Sequence, residues 1–269
     1  MSYQTEGFEP DSELSEFLTK IWELDDNKCN PGEHFQIDLQ GYVGYKGGDW
    51  ARDKLFEWVD EDTIFSRRTY KAFRALLDNY EMEAGQAETY TFEEKQETVE
   101  FIDAIMETDV MKETHKFLAS KKLAPEEVGN FKWKLLNLWF KLVRRTKNDR
   151  DLDSSSFEHV FVGETRQEGM IGLHNWIQYY LQEKAGNINY QGYRRRATNL
   201  DDEVDRLICT KFLWRERQEK PSCSMFLGSS PDDWHSLYCT SSHGRLSAIP
   251  LPEDHQVNLI SGRLLQIKS

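Results

Sequence analysis

Phe157-Glu158-His159-Val160-Phe161-Val162-Gly163-Glu164, then eight residues, then Leu173-His174-Asn175-Trp176, is the stretch on which the reading of the chain turns. Apolar and polar residues alternate over 157–163, a spacing that predicts a strand. The run after Gly172 predicts a helix over 173–185, stopped by Gly186. His159 is thus expected on a strand and His174 at the first turn of a helix. With a period of two, His159 shares a face with Phe157 and Phe161, while Glu158 and Glu164 project to the other.

On the C-terminal side, 207–214 and 222–227 read as strands joined by a charged turn. Ser230-Pro231 starts a helix, with serine as N-cap and proline in the first turn. The N-terminal side is helical. Residues 12–24 place Leu14, Phe17, Leu18, Ile21 and Trp22 on one face. Residues 30–50 form turns around the short alternating run Phe35-Ile37-Leu39. Residues 51–59 and 67–80 read as helices. Thr91 with Glu94 is a capping box that opens a helix through Met106. Another helix covers about 109–120. Pro125 starts a long one, with Val128, Leu135, Leu138, Trp139 and Leu142 facing the core. The polar stretch 146–156 marks a boundary. The expected fold is α+β: a helical N-terminal lobe over 1–150, then a mixed, mainly antiparallel-sheet lobe over 151–269, together one domain.

With 38 % hydrophobic and 13 % aromatic residues, the 269-residue chain can bury a full core and is not a disordered chain. Net charge is −13, so there is no global electrostatic footprint for nucleic acid. The acid is uneven. Residues 1–150 carry 21 basic and 31 acidic groups, and residues 151–269 carry 13 and 16, which directs any RNA site to the second half. The start of the chain has neither a basic segment nor an apolar run, and no stretch is long enough to span a bilayer. Cys29, Cys209, Cys223 and Cys239 are far apart and read as free buried thiols. These features favour a cytoplasmic protein.

Two histidines in one short region, with Lys220 following in Glu-Lys-Pro-Ser-Cys-Ser, supply an acid, a base and a cation. Those are the parts needed to cleave RNA through its own 2′-hydroxyl. The helix dipole at the first turn would keep His174 neutral, as a base requires. A capping or core-edge histidine is the structural alternative. Glu158 and Glu164 are candidates to bind a divalent cation or to orient the histidines, although strand spacing turns them to the other face; the plain reading is exposed charges paired with arginine. By itself Lys220 reads by default as a solvated lysine at a turn, and Ser224 equally as a base-edge contact or an outward strand residue. Arg194, Arg195 and Arg196 follow Tyr190 and Tyr193, a mixture suited to stacking and phosphate contact with single-stranded RNA, or to a basic surface loop. No phosphate-loop, dinucleotide or zinc-protease motif occurs.

These residues, in this order, resemble the EndoU (XendoU) family of poly(U)-specific endoribonucleases. Residues 157–164 look like the family signature. Residues 172–184 continue it, and Phe226-Leu-Gly-Ser-Ser-Pro231 follows a matching Lys-Pro. Residues 76–81 and 101–108 are also similar to the family, so the resemblance covers roughly 10–231. It implies an α+β endonuclease that acts on single-stranded RNA at uridylates, leaves a 2′,3′-cyclic phosphate and typically uses manganese (Mn2+); a monomer is the expected state. It further implies that His159 and His174 are the acid–base pair, that Lys220 is the third catalytic residue, and that Ser224 takes part in uracil recognition. The chain departs from the family pattern in the tail, 239–269, where no tyrosine follows Tyr238. Residues 239–256 are expected to be loosely held and 257–268 to form at most an edge hairpin, weakening uridine preference. The alternative function is a catalytically weak RNA-binding member of the same family.

Overall fold

The computed structural model describes residues 12–44, 47–144, 150–166, 169–196, 206–232, 249–250 and 256–257. The tail expectations for 239–248, 251–255 and 258–269 lie outside the described residues. Within the tail, β8 (Ile249–Pro250) pairs antiparallel with β9 (Gln256–Val257).

The fold is α+β. Helix α1 (Ser12–Leu24) is followed by a small antiparallel ribbon of β1 (Phe35–Ile37) and β2 (Phe56–Val59). Helices α2 (Glu61–Ser66), α3 (Arg68–Ala75), α4 (Phe92–Met106), α5 (Asp109–Ser120) and α6 (Val128–Phe140) come next. A π-helical turn over Glu158–Val162 leads into the hairpin of β3 (Glu164–Arg166) and β4 (Gly169–Ile171). Helix α7 (Trp176–Lys184) precedes a three-stranded antiparallel sheet, β5 (Ile188–Arg196), β6 (Leu207–Trp214) and β7 (Gln218–Phe226), with β6 central.

Several elements follow from local chemistry. The Thr91 hydroxyl accepts from Glu94 N and the Glu94 carboxylate accepts from Thr91 N, so α4 begins where the capping box put it. Other elements differ from expectation. Residues 56–59, expected in a helix, form β2. The Glu183 carboxylate on α7 accepts from Leu55 N and Phe56 N at 2.7 and 3.0 Å, and β1 supplies the ladder on the other side. Helix α3 ends at Ala75 instead of reaching 80, and α2 forms behind the N-cap Asp60. Helix α6 starts three residues after Pro125, capped by Glu127. Its buried stripe is Phe131, Leu135 and Trp139, whereas Val128 and Leu138 reach solvent.

The largest difference is at 157–163, which is helical and not a strand. Ser155 and Glu158 form a reciprocal cap, with Glu158 N donating to Ser155 Oγ and Ser155 N donating to the Glu158 carboxylate. Gly163 N then bonds Glu158 O, the five-residue spacing of a π turn. Phe157 and Phe161 therefore pack against each other, ring centroids 4.9 Å apart and tilted by 43°, inside an aromatic cluster of Phe73, Phe101 and Phe140. A short apolar run has no period long enough to separate helix from strand.

This cluster is part of a core that takes buried side chains from α3–α6, the π turn, α7 and the sheet. Cys29, Cys209 and Cys223 are buried free thiols within it or beside it. No helix among the described residues is long and apolar enough to cross a membrane.

Candidate active site

The π turn, the β3–β4 hairpin and β7 converge on the two histidines. Leu173 N donates to His159 O at 3.1 Å and His174 N donates to Val160 O at 2.7 Å, so the backbone before α7 is stitched to the π turn. That approach requires Gly172. It has φ of 70°, and a Cβ there would lie 1.8 Å from His159 O. Leu173 itself has φ of 57°, an uncommon conformation for a branched residue. Its carbonyl accepts from Cys223 Sγ on β7 at 2.8 Å, which helps to hold it there. Burial pushes the Cys223 thiol up to about 12, so it keeps this proton.

The His159 and His174 rings lie 6.4 Å apart, centroid to centroid, inclined at 68°. His159 Nδ1 lies 2.7 Å from Glu164 Oε2, with the histidine side chain 23 % exposed and the glutamate 0 %. A carboxylate partner fixes the tautomer with the proton on Nδ1 and turns Nε2 toward the open side. His174 Nδ1 lies 3.0 Å from the Ser224 carbonyl. A carbonyl only accepts, so Nδ1 carries the proton and Nε2 of the neutral ring has a lone pair. Burial above all, with the nearby Lys220 and His159, lowers His174 to about 3. The cause differs from the expected helix dipole. His174 lies outside α7, whose N-cap is Asn175, and desolvation is the larger effect.

Lys220 is not at a turn. Strand β7 begins at Gln218, and Lys220 sits within it opposite Phe212, 8 % exposed, its ammonium lowered below the usual lysine range by burial. Pro221 falls where the β6–β7 register shifts, a position a proline tolerates because a bulge leaves a residue unpaired. Ser224 is half-buried and meets His174 through its backbone carbonyl. Arg194, Arg195 and Arg196 end strand β5 instead of forming a loop. Arg194 is half-buried, with its Nε buried and without a hydrogen-bond partner.

The two carboxylates expected to hold manganese are engaged within the protein. Glu158 is fully buried and caps Ser155, and Glu164 is fully buried against His159. They do not present an open oxygen cage of the kind manganese prefers. Among the described residues no group of three or more His, Cys, Asp or Glu is placed to hold an ion. Glu164 orients His159, the role that strand spacing had argued against, because the helical turn brings onto one side two residues that a strand would face apart. Sequence reasoning missed Gly172, Leu173 and Cys223 as supports, since only the Gly-Leu-His order hinted at them.

The family model described as Endoribonuclease XendoU matches residues 13–245. The poly(U)-specific endoribonuclease-A of Xenopus laevis is 45 % identical over 234 residues, covering 84 % of this chain and 80 % of the relative. Uridylate-specific endoribonuclease B of Danio rerio is 44 % identical over 241 residues, covering 87 % and 83 %. A solved structure described as XendoU, a splicing independent snoRNA processing endoribonuclease, superposes with a TM-score of 0.80 at 41 % identity, covering 91 % of each chain. With one family model across most of the chain, and a relative this similar in both sequence and fold, the chain belongs to the endoribonuclease XendoU family.

Proposed function

We propose that this protein is an endoribonuclease that cleaves single-stranded RNA at uridylates through attack of the 2′-hydroxyl on the adjacent phosphate. The observation that carries the chemistry is the Nδ1–H donation from His174 to the Ser224 carbonyl, in a ring held neutral by burial. His174 Nε2 takes the 2′-hydroxyl proton, and the 2′-oxygen forms its bond to phosphorus. His159 enters the step with a proton on each ring nitrogen, its Nδ1–H on Glu164, and gives the Nε2 proton to the 5′-oxygen as the phosphorus–5′-oxygen bond breaks. Lys220 supports the negative charge of the phosphorane. The products are a 2′,3′-cyclic phosphate and a 5′-hydroxyl. The uridylate preference is that named for the relatives, and Ser224, beside the base, is the residue assigned to uracil. Arg194, Arg195 and Arg196 contact the RNA backbone. No step is routed through manganese, because the carboxylates at hand are committed to Ser155 and His159.

The test is cleavage of a labelled oligouridylate by the wild-type chain and by His174→Ala, with a matched substrate carrying 2′-deoxyuridine at the cut site. Cleavage of the ribose substrate alone, ending in a cyclic phosphate and lost in the variant, is the expected result. Efficient cutting of the deoxy substrate rules the mechanism out. Binding without any cleavage favours the weakly catalytic RNA-binding reading.

A further inference from the structure

We propose that Tyr42 and Tyr193 form a stacking platform for a nucleobase one nucleotide beyond the two that flank the scissile phosphate of single-stranded RNA. The proposal rests on the RNA-cleaving reading above. Tyr193 N donates to Gly41 O at 3.1 Å and Val43 N donates to Tyr193 O at 2.7 Å, so the backbone on both sides of Tyr42 is tied to β5. Gly192 permits this contact, because a Cβ there would meet Gly41 O at 2.5 Å. With its backbone pinned, the Tyr42 ring has only its two side-chain torsions left to order on binding. Yet Tyr42 is 55 % exposed, and it lies 5.6 Å from the half-buried Tyr193 ring at 58°. Two tilted rings in contact, the outer one more than half exposed, offer aromatic surface that suits a base better than it suits water.

The sheet register places the pair relative to the chemistry. Tyr193 is opposite Thr210, and Thr210 is opposite Cys223. Cys223 bonds Leu173 O and precedes Ser224, whose carbonyl holds His174. Tyr193 and the catalytic segment are therefore in one cross-strand row, about 10 Å apart over two strand spacings. They also share a face. Thr210 and Phe212 are two apart on β6 and project the same way, Tyr193 opposite the first and Lys220 opposite the second. Arg194 follows Tyr193 on β5, so a cation stands one residue along the strand from the pair, which suits a phosphate-bearing ligand over a neutral apolar one.

The experiment compares Tyr42→Ala, Tyr42→Phe and wild type on diuridylate and on a longer oligouridylate. Tyr42 is exposed, so these variants should fold. The expected result is a KM for the longer substrate about tenfold higher in Tyr42→Ala, equivalent to about 1.4 kcal/mol, with kcat unchanged, diuridylate unaffected and Tyr42→Phe close to wild type. Equal KM values for both substrates in all three proteins overturn the platform while leaving the nuclease reading intact. If wild type cuts neither substrate, the nuclease reading fails. The platform is then decided by binding of a fluorescent 2′-deoxy-substituted oligouridylate, where unchanged affinity in Tyr42→Ala refutes it and about tenfold weaker binding supports it.

Discussion

Replacing Asp25 by asparagine should make the protein more stable at neutral pH and remove part of its pH dependence. Asp25 follows α1 and Asp232 lies in the helical turn after β7; each is 1 % exposed. Asp25 Oδ2 and Asp232 Oδ1 are both buried without a hydrogen-bond partner. The side chain of Ser230 bonds to both carboxyl groups. Two buried carboxylates side by side cannot both ionise cheaply. Burial first, then Asp232, raises Asp25 from 3.8 to about 7, and burial raises Asp232 as well. Arg206 is the nearby cation; Cys29 and Tyr70, both pushed upward by burial, stay neutral.

Between pH 4 and 7 the unfolded chain has released the Asp25 proton and the folded chain retains it. The stabilisation is complete below the unfolded value, falls as pH rises, and is gone above the folded value. The gap from 3.8 to about 7, at about 1.4 kcal/mol per pH unit, amounts to about 4 kcal/mol. In Asp25→Asn the group is neutral at every pH, so that loss disappears. Urea denaturation of both proteins at several values between about pH 4 and 8 reads the difference. The stability gap in favour of the variant should widen with pH by up to about 4 kcal/mol and level off near neutrality. Parallel stability curves for the two proteins would refute the reasoning.

Three further outcomes are expected. Because His174 stays neutral down to about 3, kcat/KM should show no acid limb near pH 6.5 from this residue; an acid limb there that vanishes in a His174 variant contradicts the assignment. Gly172→Ala should cost about 2–3 kcal/mol in stability and displace His159, since the new Cβ falls on its carbonyl; a wild-type melting temperature in the variant would show that the loop can relax. Glu164→Gln keeps an acceptor for His159 but removes the charge, so kcat should fall by about tenfold to a hundredfold with KM nearly unchanged, and a KM-only effect would argue for a binding role.

Much of the fold was legible because its signals are local. The Thr91–Glu94 box, the i, i+4 stripes of α1 and α4, and the glycine after α7 act within one or two turns, and no distant contact is needed to read them. The residue types at the candidate site were legible in the same way, from the order of His159, His174 and Lys220. What they do to one another was not. The short run 157–163 alternates like a strand, but the Ser155–Glu158 cap and packing against Phe73 and Phe101 turn it into a helix. That rotation brings Glu164 onto His159, where strand geometry would have separated them. Lys220 reads as a solvated turn residue until β6 pairs with β7 and buries it. His174 owes its neutrality to desolvation by residues far away in the chain and not to the helix beside it. Local hydrogen bonding and periodicity are written in neighbouring residues, whereas burial, electrostatic coupling and the choice between helix and strand for a short apolar run depend on which surfaces meet once the chain has folded.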